Sequence, residues 1–315
     1  MIQLVLIYLR LFAEREVKSS VDLHQWERMK SGKGFIAALD QSGGSTPKAL
    51  KLYGLNESSY RTEIEMFALV HEMRSRIIKS PVFNNSRILG TILFQMTMES
   101  QIAGIGTAEF LWQEKQIVPF LKIDLGLDSE KEGVALMKPI PELENRLAAA
   151  KRHQVFGTKM RSIIKMANSK GIEAIIKQQF DYARRISATE LVPIVEPEID
   201  INSPEKGRAE SLLRDSLLRR LDLLRNEEIV ILKLTLPEEP GFYNELVSHP
   251  QVLRVAALSG GYSRDRANAL LAKNPGVIAS FSRALTQGLT AQQSDLEFNE
   301  QLDTAIESIF RASVL

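Results

Sequence analysis

Two hydrophobic periods alternate along this chain. Eight short runs rich in aliphatic residues lie at 34–40, 87–95, 118–123, 155–159, 191–196, 229–234, 252–258 and 276–281. Each has the length and composition of a buried parallel strand. Between them, apolar residues recur at helical spacing. The clearest helix follows Ser203, Pro204 and Glu205, a cap and first-turn proline ahead of Leu213, Leu217, Leu221 and Leu224 on one stripe. A second helix is expected over 60–79, with Ile64, Phe67, Val70 and Ile77 in phase. Strands alternating with helices imply parallel pairing through right-handed crossovers. Eight strands are the number that closes a (β/α)8 TIM barrel, the expected α/β fold. The competing architecture is an open doubly wound sheet, disfavoured because no Gly-rich nucleotide fingerprint follows the first run.

The first thirteen residues are apolar apart from Gln3 and Arg10. That is too short a stretch to span a bilayer, and it lacks the basic start and small-residue cleavage site of a secretory signal. Residues 1–30 are therefore expected to form a helical N-terminal extension, and 31–315 a single barrel domain. A hydrophobic content of 44% over 315 residues suffices for one large core. The net charge of +1 supplies no field for nucleic acid or an anionic membrane, so small molecules are the expected partners, with a homo-oligomer left open. Cysteine is absent, which excludes disulfides, thiolate metal sites and a cysteine nucleophile. A cytoplasmic location is the default expectation.

Lys233 carries the strongest chemical signal. It sits inside the run Ile229 to Leu236, where every neighbour reads as buried strand. An amine enclosed in a barrel loses solvation of its charged form and can attack a carbonyl as a neutral nucleophile. The ordinary alternative is a lysine whose ammonium reaches solvent at a strand end. Other polar residues fall where a barrel places its site, at the ends of the expected strands. Asp40 closes the first, Lys122 the third, Lys159 and Arg161 the fourth, Glu196 and Glu198 the fifth. Any one of them alone is an ordinary solvated loop charge. On one rim with Lys233, the cations Lys159 and Arg161 would depress its pKa and the glutamates could shuttle protons.

Two loops suit phosphate. Ser259, Gly260 and Gly261 follow the seventh run, where backbone N–H groups and a hydroxyl can approach an anion. Arg283 follows the eighth and offers a guanidinium for bidentate contact. Loops after strands seven and eight are the usual barrel phosphate site. Ser42 and Ser45 flank a glycine pair after the first run, with Lys48 just beyond, and could hold a second phosphate. The plain alternative for each glycine pair is a tight turn. Metal chemistry is poorly supported. His24, His71, His153 and His249 fall away from the strand ends, and none pairs at ligand spacing.

With these motifs in order, the chain resembles the class I fructose-1,6-bisphosphate aldolases. The matching stretches are the Ala-Ala-Leu-Asp-Gln-Ser-Gly-Gly-Ser ending at Ser45, Phe-Leu-Lys-Ile-Asp ending at Asp124, and Phe-Gly-Thr-Lys-Met-Arg ending at Arg161. Val-Pro-Ile-Val-Glu-Pro-Glu ending at Glu198, Leu232-Lys233, Leu258 to Gly261 and Phe281 to Leu285 complete the set. The Val-Pro-Ile-Val-Glu-Pro-Glu stretch is the most specific of them.

The resemblance implies a metal-independent lyase, with no cofactor beyond a covalent imine on Lys233. It implies that Glu196 is the main acid and base, that Glu198 supports carbinolamine formation and dehydration, that Asp40 orients the hydroxyl at the cleaved bond and that Lys159 lies near the reacting carbonyl. It assigns Arg161 and Lys48 to the phosphate at the aldehyde end, and Ser259, Gly260 and Arg283 to the phosphate at the ketone end. Gly261, Lys122, Ser42 and Ser45 are further carry-overs. Met160 departs from the tryptophan of many members. The chain ends Arg-Ala-Ser-Val-Leu without the terminal tyrosine of some, which leaves enamine protonation to Glu196 or a water. Another Schiff-base barrel, such as a transaldolase, a sugar-phosphate isomerase and a non-catalytic sugar-phosphate binding protein are the alternatives.

Overall fold

The computed structural model describes residues 22–41 and 46–315. Eight parallel strands are present: β1 (Phe35–Leu39), β2 (Ile88–Leu93), β3 (Val118–Lys122), β4 (Gly157–Ile164), β5 (Val192–Ile199), β6 (Val230–Thr235), β7 (Val252–Leu258) and β8 (Val277–Ala279). Each pairs with the next in chain order. The ring is brought round by the Ala38 N–H, which donates to the Phe281 carbonyl at 3.1 Å. This is the (β/α)8 arrangement, not an open sheet.

Two strands run further than their polarity suggests. β4 extends to Ile164 and β5 to Ile199, because Arg161, Ser162 and Ile163 pair with Glu196, Pro197 and Glu198 in an unbroken ladder. A short segment, Val134–Ala135, adds antiparallel pairing to Ile163 and Ile164. Lys159, Arg161, Glu196 and Glu198 thus lie within strands rather than in loops after them.

Strand alternation sorts the core in two. Phe35, Ala37 and Leu39 of β1 face outward into the layer shared with the helices. Ile36 and Ala38 face inward, with Val118 and Phe120, Val192 and Ile194, Ile231, Ala256 and Ile278. The Phe120 ring fills room left by glycines on both neighbours. A Cβ on Gly90 would come within 3.0 Å of the ring, and one on Gly157 within 3.0 Å of it and 2.1 Å of the Val192 carbonyl oxygen. Large and small side chains therefore interdigitate across adjacent strands.

The N-terminal end of the barrel is closed by α1 (Leu23–Ser31). Asp22 caps it, accepting from the N–H groups of His24 and Gln25 at 2.8 and 3.1 Å. Its Trp26 and Met29 pack onto the inner cluster where the strands begin. The Arg254 guanidinium ties the helix down by donating to the Met29 carbonyl at 2.9 Å. The rest of the expected extension, residues 1–21, lies outside the described residues.

Two helices depart from expectation in detail. Residues 46–52 form α2, and α3 spans Glu63–Lys79, starting at a capping box between Thr62 and Glu65. Ile64 is 82% exposed. Steps of three residues drift around a helix, and the buried face is set instead by Met66, Val70, Met73 and Ile77. The helix α4 spans Ser169–Ser187, and α5 spans Lys206–Leu221. Ser203 does not cap α5. Its hydroxyl accepts from the Glu205 N–H at 3.3 Å in the turn before it. Leu213, Leu217 and Leu221 form the expected stripe, and Leu224 is buried past the helix end.

Candidate active site

On five of the strands the inward face changes character two residues above its last apolar side chain. Asp40 follows Ala38 in this alternation, Lys122 follows Phe120, Glu196 follows Ile194, Lys233 follows Ile231 and Ser280 follows Ile278. Since Met160 faces outward, Lys159 and Arg161 face inward. The result is a charged layer on an apolar floor, opening into a cavity of about 610 Å³ at the C-terminal mouth.

At the base of this cavity four buried side chains alternate in sign. Lys159 Nζ lies 2.6 Å from Asp40 Oδ2 and 2.9 Å from Glu196 Oε2. Lys233 Nζ lies 3.0 Å from Glu196 Oε1. All four are at most 7% exposed, so each charge depends on its neighbours for compensation. Burial alone would raise the Asp40 pKa, but the Lys159, Lys233 and Lys122 side chains outweigh it and hold the carboxyl well below the usual carboxylate range. Burial likewise opposes ionisation of Glu196, and Lys159 and Lys233 reverse that, leaving it below its ordinary value. For Lys159, burial pulls downward while Asp40, Glu196 and Asp124 pull more strongly upward, so it stays above the normal lysine range.

Around the base, Arg161 is ion-paired with Glu198, and Lys122 Nζ with Asp124 Oδ1 at 2.7 Å. Lys48 on α2 and Arg283 also line the cavity. Both are exposed, and among the described residues neither carries an ion pair. Ser259 and Gly260 line the same wall. Gly260 has a φ of +59°, and a Cβ there would meet Ile201 at 2.6 Å, so the turn requires glycine. Gly261 stands outside the lining, its Cβ direction 3.7 Å from Arg283 Nη2. Ser42 and Ser45 fall outside the described residues. The other eleven residues expected from the sequence all meet in one cavity.

The cavity also draws on residues that the sequence motifs do not single out. Asp124 was visible in the Phe120-to-Asp124 stretch. Ser280 and Ser282 line the cavity, and Ser282 accepts from the Gln41 amide at 2.5 Å. Arg74 on α3 is 1% exposed and donates to the Thr97 hydroxyl at 2.7 Å and to the Gln41 carbonyl next to Asp40. Burial draws its pKa down to about 10, against the pull of Asp40. Gln179 on α4 donates to the Glu196 carbonyl at 3.1 Å and accepts from the Glu196 N–H at 2.9 Å. The available signal for Arg74 and Gln179 was a polar residue in an otherwise apolar helix stripe. Among the described residues, no group of three or more His, Asp or Glu side chains is disposed to hold a metal ion.

A buried lysine beside a buried carboxylate, under a cation-rimmed mouth of a parallel barrel, is the arrangement that an imine-forming carbonyl enzyme needs. Comparison with known proteins gives the particular family. The family profile described as Fructose-bisphosphate aldolase class-I, glycolytic, matches residues 25–218. The class 1 fructose-bisphosphate aldolase of Synechocystis is 57% identical over 290 residues, covering 92% of this chain and 97% of that protein. The enzyme of the same name from Porphyromonas gingivalis is 54% identical over 290 residues, covering 92% and 98%. The solved structure of Plasmodium falciparum fructose-bisphosphate aldolase shares the fold, with a TM-score of 0.70, 20% identity and 94% of each chain covered. The chain belongs to the class I fructose-bisphosphate aldolase family.

Proposed function

We propose that the chain cleaves fructose 1,6-bisphosphate reversibly to dihydroxyacetone phosphate and glyceraldehyde 3-phosphate, with Lys233 as the imine-forming nucleophile. The observation that carries this reading is the 3.0 Å contact between Lys233 Nζ and Glu196 Oε1. It gives the proton that the amine must lose an acceptor within hydrogen-bond distance. Deprotonated Lys233 adds to the second carbon of the ketose. Glu196 returns a proton to the departing hydroxyl, water leaves, and a protonated imine remains.

The iminium withdraws electrons from the bond between the third and fourth carbons. Asp40 orients the fourth-carbon hydroxyl, and Glu196 accepts its proton as that bond breaks. Glyceraldehyde 3-phosphate departs, and the enamine left on Lys233 is protonated at the third carbon by Glu196 or by water. Hydrolysis then releases dihydroxyacetone phosphate. Lys159, shared between Asp40 and Glu196, keeps both carboxylates ionised beside the reacting carbonyl. Glu198 assists carbinolamine formation while paired with Arg161.

Arg283 and Lys48, which carry no ion pair among the described residues, support the two phosphate assignments. Arg283, with Ser259 and Gly260, takes the ketone-end phosphate, with Gly261 beside them. Lys48 and Arg161 take the aldehyde-end phosphate, and Lys122, Ser42 and Ser45 are further candidates for binding substrate. The steps need no metal, and residues 31–315 form the catalytic domain. A cytoplasmic location is the reading that accompanies sugar-phosphate substrates. The deciding experiment is borohydride reduction in the presence of dihydroxyacetone phosphate, followed by peptide mapping. The expected result is a reduced adduct on Lys233, with turnover unchanged by EDTA. An adduct elsewhere, or none, overturns the assignment.

A further inference from the structure

We infer that Gln179 is a positioning residue for Glu196, holding its carboxylate in register with Lys233 through the Glu196 backbone. This rests on the reading of Glu196 as the acid–base group. The buried face of α4 is otherwise apolar at its centre, formed by Ile172, Ile175, Ile176, Phe180 and Ala183. Gln179 interrupts it and is fully buried. A buried amide is costly unless its donor and acceptor are both bonded. Here both are, and both bonds go to one residue: Nε2 donates to the Glu196 carbonyl at 3.1 Å, and Oε1 accepts from the Glu196 N–H at 2.9 Å.

The location matters. The β5–β6 register covers Ile194 with Ile231 and Val195 with Leu232, and stops one residue short of Glu196 and Lys233. The two strands therefore part where their side chains must meet. Beyond the gap, the Thr235 hydroxyl accepts from the Ile199 N–H and donates to the Ile199 carbonyl, each at 2.8 Å. One amide and one hydroxyl thus brace β5 on either side of its acidic pair, where the ladder to β6 has ended. A two-point contact to a single residue fixes the direction of its Cα–Cβ bond. A displacement of about 1 Å in a catalytic group can cost roughly 100-fold in rate.

The test uses the full chain, fructose 1,6-bisphosphate, and two variants, Gln179→Met and Gln179→Glu. Methionine fills similar space without either hydrogen bond. The expected result is an unchanged circular dichroism spectrum, a KM within threefold of the parent, and a kcat lowered about tenfold to 100-fold. Glutamate accepts but donates only when protonated, so the ratio of its kcat to the parent's should rise at least fivefold from pH 8 to pH 5.5. The charged groups facing Glu196 are Lys159 and Arg161 on β4, Lys233 on β6 and Asp40 after β1. They are common to all three proteins, so the ratio isolates position 179.

A folded Gln179→Met enzyme with kcat within threefold of the parent overturns the inference. So does a Gln179→Glu ratio that stays flat with pH, and this second result decides the matter if the methionine variant does not fold. Glu196→Gln, measured alongside, separates the two levels. Normal turnover in that variant removes the acid–base reading itself. An inactive Glu196→Gln with both Gln179 variants behaving as the parent removes only the positioning role.

Discussion

Lys233 Nζ and Glu196 Oε1 are 3.0 Å apart on neighbouring strands whose ladder ends one residue earlier. Replacing Lys233 with arginine keeps a cation against Glu196 but removes the amine that can form an imine. Lys233→Arg is expected to retain its circular dichroism spectrum while kcat falls by roughly 1000-fold or more. Borohydride trapping should disappear with it. Substantial turnover in a homogeneous preparation would contradict the assignment.

Arg283 and Lys48 line the cavity without an ion pair among the described residues. Charge-assisted hydrogen bonds contribute about 1.5–3 kcal/mol each. Arg283→Ala should therefore raise KM about tenfold to 100-fold for fructose 1,6-bisphosphate. Lys48→Ala should weaken the bisphosphate more than fructose 1-phosphate, which lacks the aldehyde-end phosphate. Steady-state kinetics on the two ketoses would expose equal losses, which would refute the division of ends.

The Asp40 carboxyl is held below its ordinary range in the folded state. Its stabilising contribution is complete above the unfolded carboxyl pKa of about 4 and is lost as pH falls through the folded value. Lys159 behaves oppositely: its folded value is raised, so its contribution is complete below about pH 10 and is lost above it. Asp40→Asn should therefore lower Tm near pH 7 and flatten the decline in Tm between pH 5 and pH 2.5. An unchanged acid slope would show that the pairing with Lys159 does not persist in solution.

Gly157 has no space for a side chain, since a Cβ would lie 2.1 Å from the Val192 carbonyl oxygen. The obstacle is backbone of the adjacent strand and cannot swing aside. Gly157→Ala is expected to destabilise by about 1–3 kcal/mol, the usual range for overpacking. Denaturant melts would reveal it, and a variant as stable as the parent would mean that β4 and β5 shift easily.

The eight strands were legible because a strand buried on both faces leaves an almost continuous apolar run. The ends of β4 and β5 were not, because Arg161 and Glu198 look like loop residues until the charged interior that accommodates them is known. Ile64 misled for a different reason: steps of three residues drift around a helix, so an apolar residue near the expected spacing can still fall on the solvent side. Most of the site could be read from strand ends, since inward alternation fixes which of two adjacent residues faces the cavity. Gln179 and Arg74 stayed hidden. Gln179 bonds only to the backbone of Glu196, and Arg74 to the Gln41 carbonyl as well as the Thr97 hydroxyl, and a backbone group has no letter of its own.

Because Trp26 and Met29 pack onto the inner cluster where the strands begin, the cavity that holds the charged layer opens, among the described residues, on the opposite, C-terminal side. On the proposed reading, substrate, both three-carbon fragments and the hydrolytic water reach Lys233 from that side. If Lys233 forms the proposed imine, the aldehyde fragment is the one free to leave, and the ketone fragment waits for water to reach the same buried base.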